Sequence, residues 1–372
     1  MSDDLKPSRL LLRLEAEIAG ARTQVEADCK RAERAAYLAR VGRFDEARAE
    51  VGELQEANQR RPQIDVSIWT NLADGLIAYF ENVGVSTTDR VQRAYALSGA
   101  SDRNRLRALC AAWLAQWDYS KTDMRSLANH LREALTLAEP EDHPVRSRAC
   151  LVAAQALHLA GRLDLAIIWY GKSRLHASLD GDDATISALM HNMAWLRMMS
   201  IRQAVLLTGQ QDDRAVEQAL ANAASTEGFD QLQGDSSWAE LKPILRAQIV
   251  SLRGDARYAV VLYEEHLATA AAPARLQANL LADKAWCHAE LGRNDDAIHY
   301  AELALLGLAS ETHVDDRAAA HSRLAQVFET LGNTVDHNRQ LELARGAWRQ
   351  HADMQVEIVK LLGGMDERGD NS

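Results

Sequence analysis

The chain contains few residues that interrupt helices. Its 372 residues include only six prolines and 20 glycines, and these fall mostly between segments with an apolar periodicity. Runs of alternating valine, isoleucine and threonine, which are typical of strands, are absent from the sequence. Leucine, alanine, arginine, glutamate and glutamine dominate instead, and all five favour helices. The composition therefore predicts a nearly all-helical protein.

Three further absences narrow the classes of function. The four cysteines (Cys29, Cys110, Cys150 and Cys287) lie far apart in the sequence, so we expect free thiols in a reducing compartment rather than a disulfide or a metal site. The sequence has neither an apolar signal segment nor an apolar run of membrane-spanning length, so we expect a cytoplasmic protein without membrane contact. The formal net charge of −11 disfavours nucleic acid as a partner, because such binding requires a basic surface.

A small residue recurs along the chain at a nearly constant interval. The intervals are 38 to 42 residues, apart from one of 53 residues between Ala194 and Ala247. A fixed period of this size indicates pairs of helices that stack along one axis. An alanine at each helix crossing lets two helices approach closely, where a larger side chain would push them apart. The eight alanines are Ala35, Ala73, Ala115, Ala154, Ala194, Ala247, Ala285 and Ala325.

A short motif follows several of these alanines at a constant distance. The pattern G-R-x-D-x-A begins at Gly42, Gly161 and Gly292. Its glycine suits the left-handed backbone that ends a helix, and its aspartate compensates the positive end of the next helix. Gly254 and Gly332 keep the glycine of the motif. The motif therefore predicts a tight turn between two helices at each of these places.

These residues resemble the tetratricopeptide repeat, which has a small residue in its first helix, a glycine at the turn and an alanine five positions beyond that glycine. The pairs Leu72-Ala73 and Leu324-Ala325 and the segment from Gly161 to Ala166 carry the resemblance. The period of about 40 residues exceeds the usual repeat of about 34 and is similar to the longer repeats of bacterial signalling and regulatory proteins. The resemblance implies an all-α fold, a right-handed α-solenoid of about eight helix-turn-helix repeats.

The predicted domain organisation follows these repeats. Residues 227–237 are polar and form either a linker between two sub-stacks or a surface insertion. The stretch from Leu5 to Arg40 is predicted to be one continuous helical segment. The remaining assignments are an N-terminal capping helix at 1–27, repeats one to five at 28–226, repeats six to eight at 238–348, a C-terminal capping helix at 349–362 and a disordered tail at 363–372.

The residue after each repeating alanine is the candidate for partner recognition. If the resemblance holds, this position faces the concave groove of the superhelix. Glutamine can donate and accept hydrogen bonds with a peptide backbone, and tryptophan offers a broad apolar anchor. The alternative interpretation is that glutamine simply favours helices and that tryptophan packs in the core. The candidate groove residues are Gln116, Gln155, Trp195, Gln248, Trp286 and Gln326, with Trp113, Tyr119, Arg148, His158 and Glu329 at the groove border.

Signals that suggest enzymatic chemistry are weak. The segment Gly171-Lys172-Ser173 lacks the upstream glycine of a phosphate-binding loop and falls inside a predicted helix. Acidic pairs such as Asp182-Asp183 precede helices, where capping explains them. His313 and Asp315 lack the further ligands expected of a zinc site. We therefore predict no catalytic residues, no metal and no cofactor.

The sequence as a whole predicts a non-enzymatic scaffold that binds another protein or an extended peptide in its groove. The alternative is a sensor or regulatory array that binds a small signalling ligand or peptide and acts on a separate output protein. Preformed helices would bind either ligand with little ordering cost. The sequence does not indicate an oligomeric state.

Overall fold

The computed structural model describes residues 8–81, 88–233, 241–268, 274–308 and 312–366. Over these ranges the protein is all-α, as the composition predicted. None of the helices described there is long and apolar enough to cross a membrane. The helices are α1 (Arg9–Ala19), α2 (Gln24–Arg40), α3 (Phe44–Arg60), α4 (Ile64–Glu81), α5 (Asp89–Ala100), α6 (Asn104–Ser120), α7 (Met124–Leu137), α8 (His143–Leu159), α9 (Leu163–Asp180), α10 (Asp183–Thr208), α11 (Asp213–Gln233), α12 (Lys242–Leu252), α13 (Ala256–His266), α14 (Ala274–Glu290), α15 (Asn294–Gly307), α16 (Val314–Thr330) and α17 (Thr334–Leu362).

The glycine motif forms the predicted helix-ending turn. Between α8 and α9, Gly161 has a φ of 72°, and the backbone N–H of Arg162 donates to the carbonyl of Leu157 at 2.9 Å. Asp164 then lies in the first turn of α9. The positive φ requires a left-handed backbone, which glycine adopts without a Cβ clash. The same turn recurs after α2, α12, α14 and α16, at Gly42, Gly254, Gly292 and Gly332.

Two turns have this geometry without a glycine, at Asp102 between α5 and α6 and at Thr122 between α6 and α7. Between α6 and α7, Thr122 has a φ of 57°, and the N–H of Asp123 donates to the carbonyl of Asp118 at 2.9 Å. Thr122 follows Ala115 at the same distance at which Gly161 follows Ala154. A β-branched residue is strained in this conformation. The helix packing therefore imposes the turn even where the local sequence opposes it.

The repeating alanines are all buried, with an exposed fraction of 3% or less. In the second half of the chain, Ala247 packs within the cluster formed by α12, α13 and α14, and Ala285 packs within that formed by α14, α15 and α16. Side chains of this size bring helix backbones close together, so a larger residue at any of these positions would overpack the contact.

The chain divides into two compact units, each described here by itself. The first comprises the described residues of Met1–Met190, Gly228–Ser237 and Glu357–Ser372, and the second those of His191–Glu227 and Trp238–Val356. In the first unit α2 contacts both α3 and α4, and α6 contacts both α7 and α8. In the second unit α14 contacts both α15 and α16. In these three cases a helix packs both on the helix that follows it and on the next helix but one.

Several predicted boundaries differ from the structure. The stretch predicted as one helix from Leu5 to Arg40 is two helices, because Gly20 ends α1 and Thr23 caps α2 by accepting from the N–H of Glu26. The predicted capping helix at 1–27 accordingly contains all of α1 and the start of α2, while residues 1–7 lie outside the described residues. The chain passes from the first unit to the second between Met190 and His191, and it returns to the first unit between Glu227 and Gly228, at the start of the predicted segment 227–237.

The predicted linker and C-terminal segments also differ. Residues 227–233 of the predicted polar linker continue α11 despite Gly228, and residues 234–237 lie outside the described residues. The predicted C-terminal cap at 349–362 is not a separate helix but the second half of the 29-residue α17. Of the tail predicted to be disordered at 363–372, Met365 is buried, and residues 367–372 lie outside the described residues.

Replacing Thr122 by glycine should stabilise the protein. We expect Thr122→Gly to raise the free energy of unfolding by about 1 kcal/mol, because it removes the strain of a left-handed β-branched residue. Urea denaturation followed by circular dichroism measures the change. The matched control is Gly161→Thr, which introduces the same strain at the equivalent turn and should lower stability. A loss of stability in Thr122→Gly would contradict this account of the turn.

Candidate functional site

A recess opens in the first unit where the first helices of four hairpins meet. α2, α4, α6 and α8 all contribute to its wall, and the end of α9 and the start of α10 complete it. The empty space is about 480 Å³, solvent at the mouth included. Because these helices are far apart in the sequence, the site exists only in the folded chain.

Arg148 of α8 is the most unusual group in this wall. Its side chain is buried, with the residue only 5% exposed, and its Nε has no hydrogen-bond partner. No described carboxylate forms an ion pair with it. Burial, together with the nearby charge of Arg40, lowers the pKa of Arg148 to about 9. A buried guanidinium without an acceptor is costly, so an anion at this position would be stabilised.

An aromatic ring holds the Arg148 guanidinium in place. Its Cζ lies 3.9 Å from the centre of the Trp113 ring, the distance of a cation–π contact. The other neighbours of Trp113 include the Phe80 ring, whose centre is 6.2 Å away, edge to face. This contact restrains the guanidinium before any ligand arrives, which lowers the entropic cost of binding.

The second arginine of the recess is already paired. The Nη2 of Arg40 donates to both carboxylate oxygens of Asp182, at 2.8 and 2.9 Å, and to the hydroxyl of Thr185 at 2.7 Å. Burial alone would raise the pKa of Asp182, but Arg40 and the hydrogen bonds from Thr185 reverse this effect and hold it below 3.8. Arg40 and Asp182 therefore form a bridge between α2 and the start of α10.

The remaining carboxylates of the recess also have cationic partners. Asp180 accepts from Arg13 at 2.7 Å, and Glu33 lies 2.9 Å from the Nζ of Lys30. Burial raises the pKa of Asp180 above 3.8, and the bond from Arg13 offsets this only in part. Acceptors within the described wall are thus committed elsewhere, which leaves Arg148 as the group that can receive an anion.

Two of the predicted groove-border residues, Trp113 and Arg148, meet in this recess. The other candidates of the first unit lie outside its wall. Gln116 and Gln155 are buried, and the Oε1 of Gln155 has no hydrogen-bond partner. The other two border candidates of the first unit are His158 and Tyr119. The Nδ1 of His158 lies 3.3 Å from the hydroxyl of Tyr170, and Tyr119 is half-buried.

The candidates of the second unit are mostly engaged within the protein. Gln248 is 1% exposed, and its amide donates to Asp283 at 3.1 Å, so the prediction that it faces a partner is wrong for this conformation. Gln326 accepts from Arg323 at 2.9 Å. The ring of Trp286 lies 4.1 Å from the guanidinium of Arg323. Glutamine at this register is used here to satisfy neighbouring buried charges.

Trp195 and Glu329 complete the predicted set. Trp195 is half-buried against the apolar cluster formed by α10, α11 and α12. This position agrees with the alternative interpretation that the tryptophan packs in the core. Glu329 is exposed near the end of α16. Neither belongs to the recess of the first unit.

A buried charge cluster in the second unit was not predicted. Arg202 of α10 donates to Asp283 of α14 at 2.7 Å, and Arg323 of α16 donates to the same carboxylate oxygen at 3.1 Å. All three residues are 2% exposed or less. Burial lowers the pKa of Arg323, although Asp283 opposes this effect. The cluster joins three helices and fixes their register, because any shift would leave a buried charge unpaired.

The weak enzymatic signals have structural explanations. The Gly171-Lys172-Ser173 segment lies inside α9, where the Ser173 hydroxyl donates to the carbonyl of Ser147 at 2.8 Å. Asp182 caps α10 by accepting from the N–H of Thr185 at 3.0 Å. The one potential metal-ligand group in the described chain is His313 with Asp315 and Asp316, whose ligand atoms lie within 4.8 Å of one another at the start of α16. Negative side chains in a first helical turn are expected there without an ion.

The cysteines are free and poorly suited to chemistry. Cys110, Cys150 and Cys287 are buried, and Cys29 is half-buried. Burial raises the pKa of Cys110 and Cys287 to about 12 and that of Cys29 to about 11. These three thiols therefore stay protonated near neutral pH and are weak nucleophiles.

The sequence did not indicate Arg40, Asp182 or the buried cluster as site residues, nor Trp69 of α4, which also lines the recess. A usable signal existed in the register of the repeat. Trp113, Asp283 and Arg323 all lie two positions before a repeating alanine. Charged or aromatic residues at one register of otherwise apolar helices indicate a shared inner surface.

No protein-family model and no curated protein sequence matches this chain, so the interpretation of the recess rests on its geometry.

The bridge between Arg40 and Asp182 should make the free energy of unfolding depend on pH in the acidic range. The folded protein holds the pKa of Asp182 below its ordinary value, so the stabilisation is present above about pH 4 and is lost as the pH falls through the folded value. We expect Asp182→Asn to lower the free energy of unfolding at neutral pH by about 3–5 kcal/mol, because it removes the carboxylate that accepts from the largely buried guanidinium of Arg40. In urea unfolding at a series of pH values, the variant should also lose less stability than the parent as the pH falls below about 4.

Asp180→Asn is the control, because protonation of Asp180 changes stability in the opposite direction. The pKa of Asp180 is raised in the folded state, so protonation of this group favours folding as the pH falls. Asp180→Asn should therefore not reduce the loss of stability that the parent shows at low pH. Identical pH profiles for the parent and Asp182→Asn would overturn the assignment.

Proposed function

We propose that this chain is a non-enzymatic binding protein that recognises another protein or an extended peptide and holds an acidic group of that partner on Arg148. The helices form tetratricopeptide-like hairpins, about eight in all, which stack as right-handed α-solenoids. The cytoplasmic location expected from the sequence belongs to the same proposal, and the free thiols support it.

One observation carries the proposal. Four first helices, α2, α4, α6 and α8, contribute to one recess, and the guanidinium there is stacked on Trp113 without a described carboxylate partner. A site made by successive first helices is what a stack of hairpins with a concave binding surface requires. A rigid, desolvated arginine beside aromatic side chains is the kind of residue that dominates binding energy at interfaces.

A small anionic ligand is the second candidate, and the enclosed position of Arg148 in the recess favours it. The Arg40–Asp182 and Arg13–Asp180 ion pairs tie α2 and α1 to the end of α9 and the start of α10. In this version the chain is a sensor that acts on a separate output protein.

Replacing Arg148 should remove anion binding without unfolding the protein. We expect phosphate and acetate to raise the melting temperature of the parent by mass action, and to leave that of Arg148→Gln unchanged. The free variant should melt within a few degrees of the parent, because it loses a stacking contact but also an uncompensated buried charge. Thermal melting with increasing concentrations of each anion provides the measurement.

Arg125→Gln is the matched control, since Arg125 is an exposed arginine of the same unit that pairs with Glu357 outside the recess. Its response to both anions should equal that of the parent. An equal anion response in Arg148→Gln would reject the role of Arg148. A captured partner protein that the parent retains and Arg148→Gln releases would favour the peptide-binding version over the small-ligand version.

A further inference from the structure

The second unit contains an arginine that is stacked on a tryptophan and bonded to a carboxylate. Arg323 of α16 lies with its Cζ 4.1 Å from the centre of the Trp286 ring of α14, and its Nε donates to the Oδ1 of Asp283 at 3.1 Å. Arg202 donates to the same oxygen at 2.7 Å, and the amide of Gln248 donates to the Oδ2 at 3.1 Å. Three N–H donors therefore hold one buried carboxylate beside an aromatic face.

The first unit repeats the pair of arginine and tryptophan. The Cζ of Arg148 of α8 lies 3.9 Å from the centre of the Trp113 ring of α6, and α6 contacts α8 as α14 contacts α16. Relative to the repeating alanines, Trp113 lies three positions earlier than Trp286, and Arg148 lies four positions earlier than Arg323. Both offsets amount to about one helical turn, so the pair is displaced as a whole.

The two pairs differ in what accompanies the arginine. In the second unit, Asp283 lies three positions before Trp286 on the same helix. In the first unit, Leu109 lies four positions before Trp113 and lines the recess. Residues three and four positions away lie on the same side of a helix, so an apolar side chain takes the place of the carboxylate. Arg148 accordingly has no ion pair with a described carboxylate, and its Nε has no hydrogen-bond partner.

The rest of the recess disfavours an anion with two charges. Its wall contains the carboxylates of Glu33, Asp180 and Asp182 but only two arginines, Arg40 and Arg148. Leucines of α4 and α6 line the same wall, and apolar surroundings raise the cost of burying each further charge. A monoanion balances the charge of Arg148, whereas the second charge of a phosphate dianion would be repelled by the carboxylates nearby.

We propose that the anion received by Arg148 is a carboxylate, held beside Trp113 as the carboxylate of Asp283 is held beside Trp286. This inference rests on the proposed binding role of Arg148, and it names the chemical class of the group that binds there. A peptide side chain, a peptide carboxyl terminus and a small free acid all carry this group.

Matched small molecules test the chemical class. We expect acetate to bind the parent with a dissociation constant at least about tenfold lower than that of phosphate at about pH 8, where phosphate is mainly a dianion. The neutral analogue acetamide should not bind. Thermal melting at constant ionic strength gives each constant from the dependence of the melting temperature on ligand concentration.

The outcomes separate this inference from the proposed function. Phosphate that binds the parent as tightly as acetate does, and that fails to bind Arg148→Gln, would overturn the carboxylate assignment and leave the role of Arg148 intact. Absence of any response to both anions would reject both.

Leu109→Asp tests the comparison between the units, because it supplies a carboxylate from α6 itself. We expect this variant to lose its response to acetate, since its own carboxylate then pairs with Arg148, and to melt no lower than Leu109→Asn. Leu109→Asn is the matched control, because it has the same shape without the charge and should respond to acetate as the parent does. A Leu109→Asp variant that melts far below this control, or that still binds acetate, would overturn the arrangement inferred from Asp283.

Three short peptides, each with a blocked amino terminus, distinguish the sources of the carboxylate. A three-alanine peptide with a free carboxyl terminus, its amidated form, and an amidated peptide with a central aspartate differ in where the carboxylate lies. Binding of one acidic peptide more tightly than acetate assigns the group to a terminus or to a side chain, and weaker binding of both assigns it to a small free acid. Equal binding of the amidated three-alanine peptide would overturn the proposal.

Discussion

Close approach of helices at a single alanine is the constraint on which the rest of this structure depends. A methyl group at each crossing lets one first helix contact its hairpin partner and the first helix of the next hairpin, as α2 does with α3 and α4. Larger side chains would separate these helices and enlarge the space between them. The recess exists because α2, α4, α6 and α8 are held at this short distance, so that side chains from all four reach one place.

The two buried arginine sites differ in which groups compensate the buried positive charge. In the second unit, Arg202 and Arg323 share the carboxylate of Asp283, and the cluster serves to fix helix register. In the recess of the first unit, each carboxylate is matched to a cation, and Arg148 has the face of Trp113 and the charge of Asp182, to which it forms no hydrogen bond. An aromatic face compensates a buried cation less fully than a carboxylate does, which keeps Arg148 available to an external anion.

Some of this arrangement could be predicted from the sequence, and some could not. The turns at Gly42, Gly161 and Gly292 were predictable because the relevant physics lies within about six consecutive residues. The end of α1 at Gly20 and the continuation of α17 through residue 349 were missed, since both depend on weak local preferences. Trp113 and Arg148 were placed at the border of a groove, but their stacking, and the pairing of Arg40 with Asp182, depends on residues more than 30 positions apart.

The sequence by itself determined that the chain is helical, where most of its turns fall and which small residues are buried, because helix periodicity, glycine turns and methyl-sized contacts repeat at a constant interval. Only the tertiary structure decided which polar residues of that pattern are consumed inside the protein and which stay available. Gln248 and Arg148 look alike as polar residues on first helices, yet one is bonded to Asp283 and the other has no described acceptor. The difference arises from the identity of neighbours brought together from other helices, which local sequence does not specify.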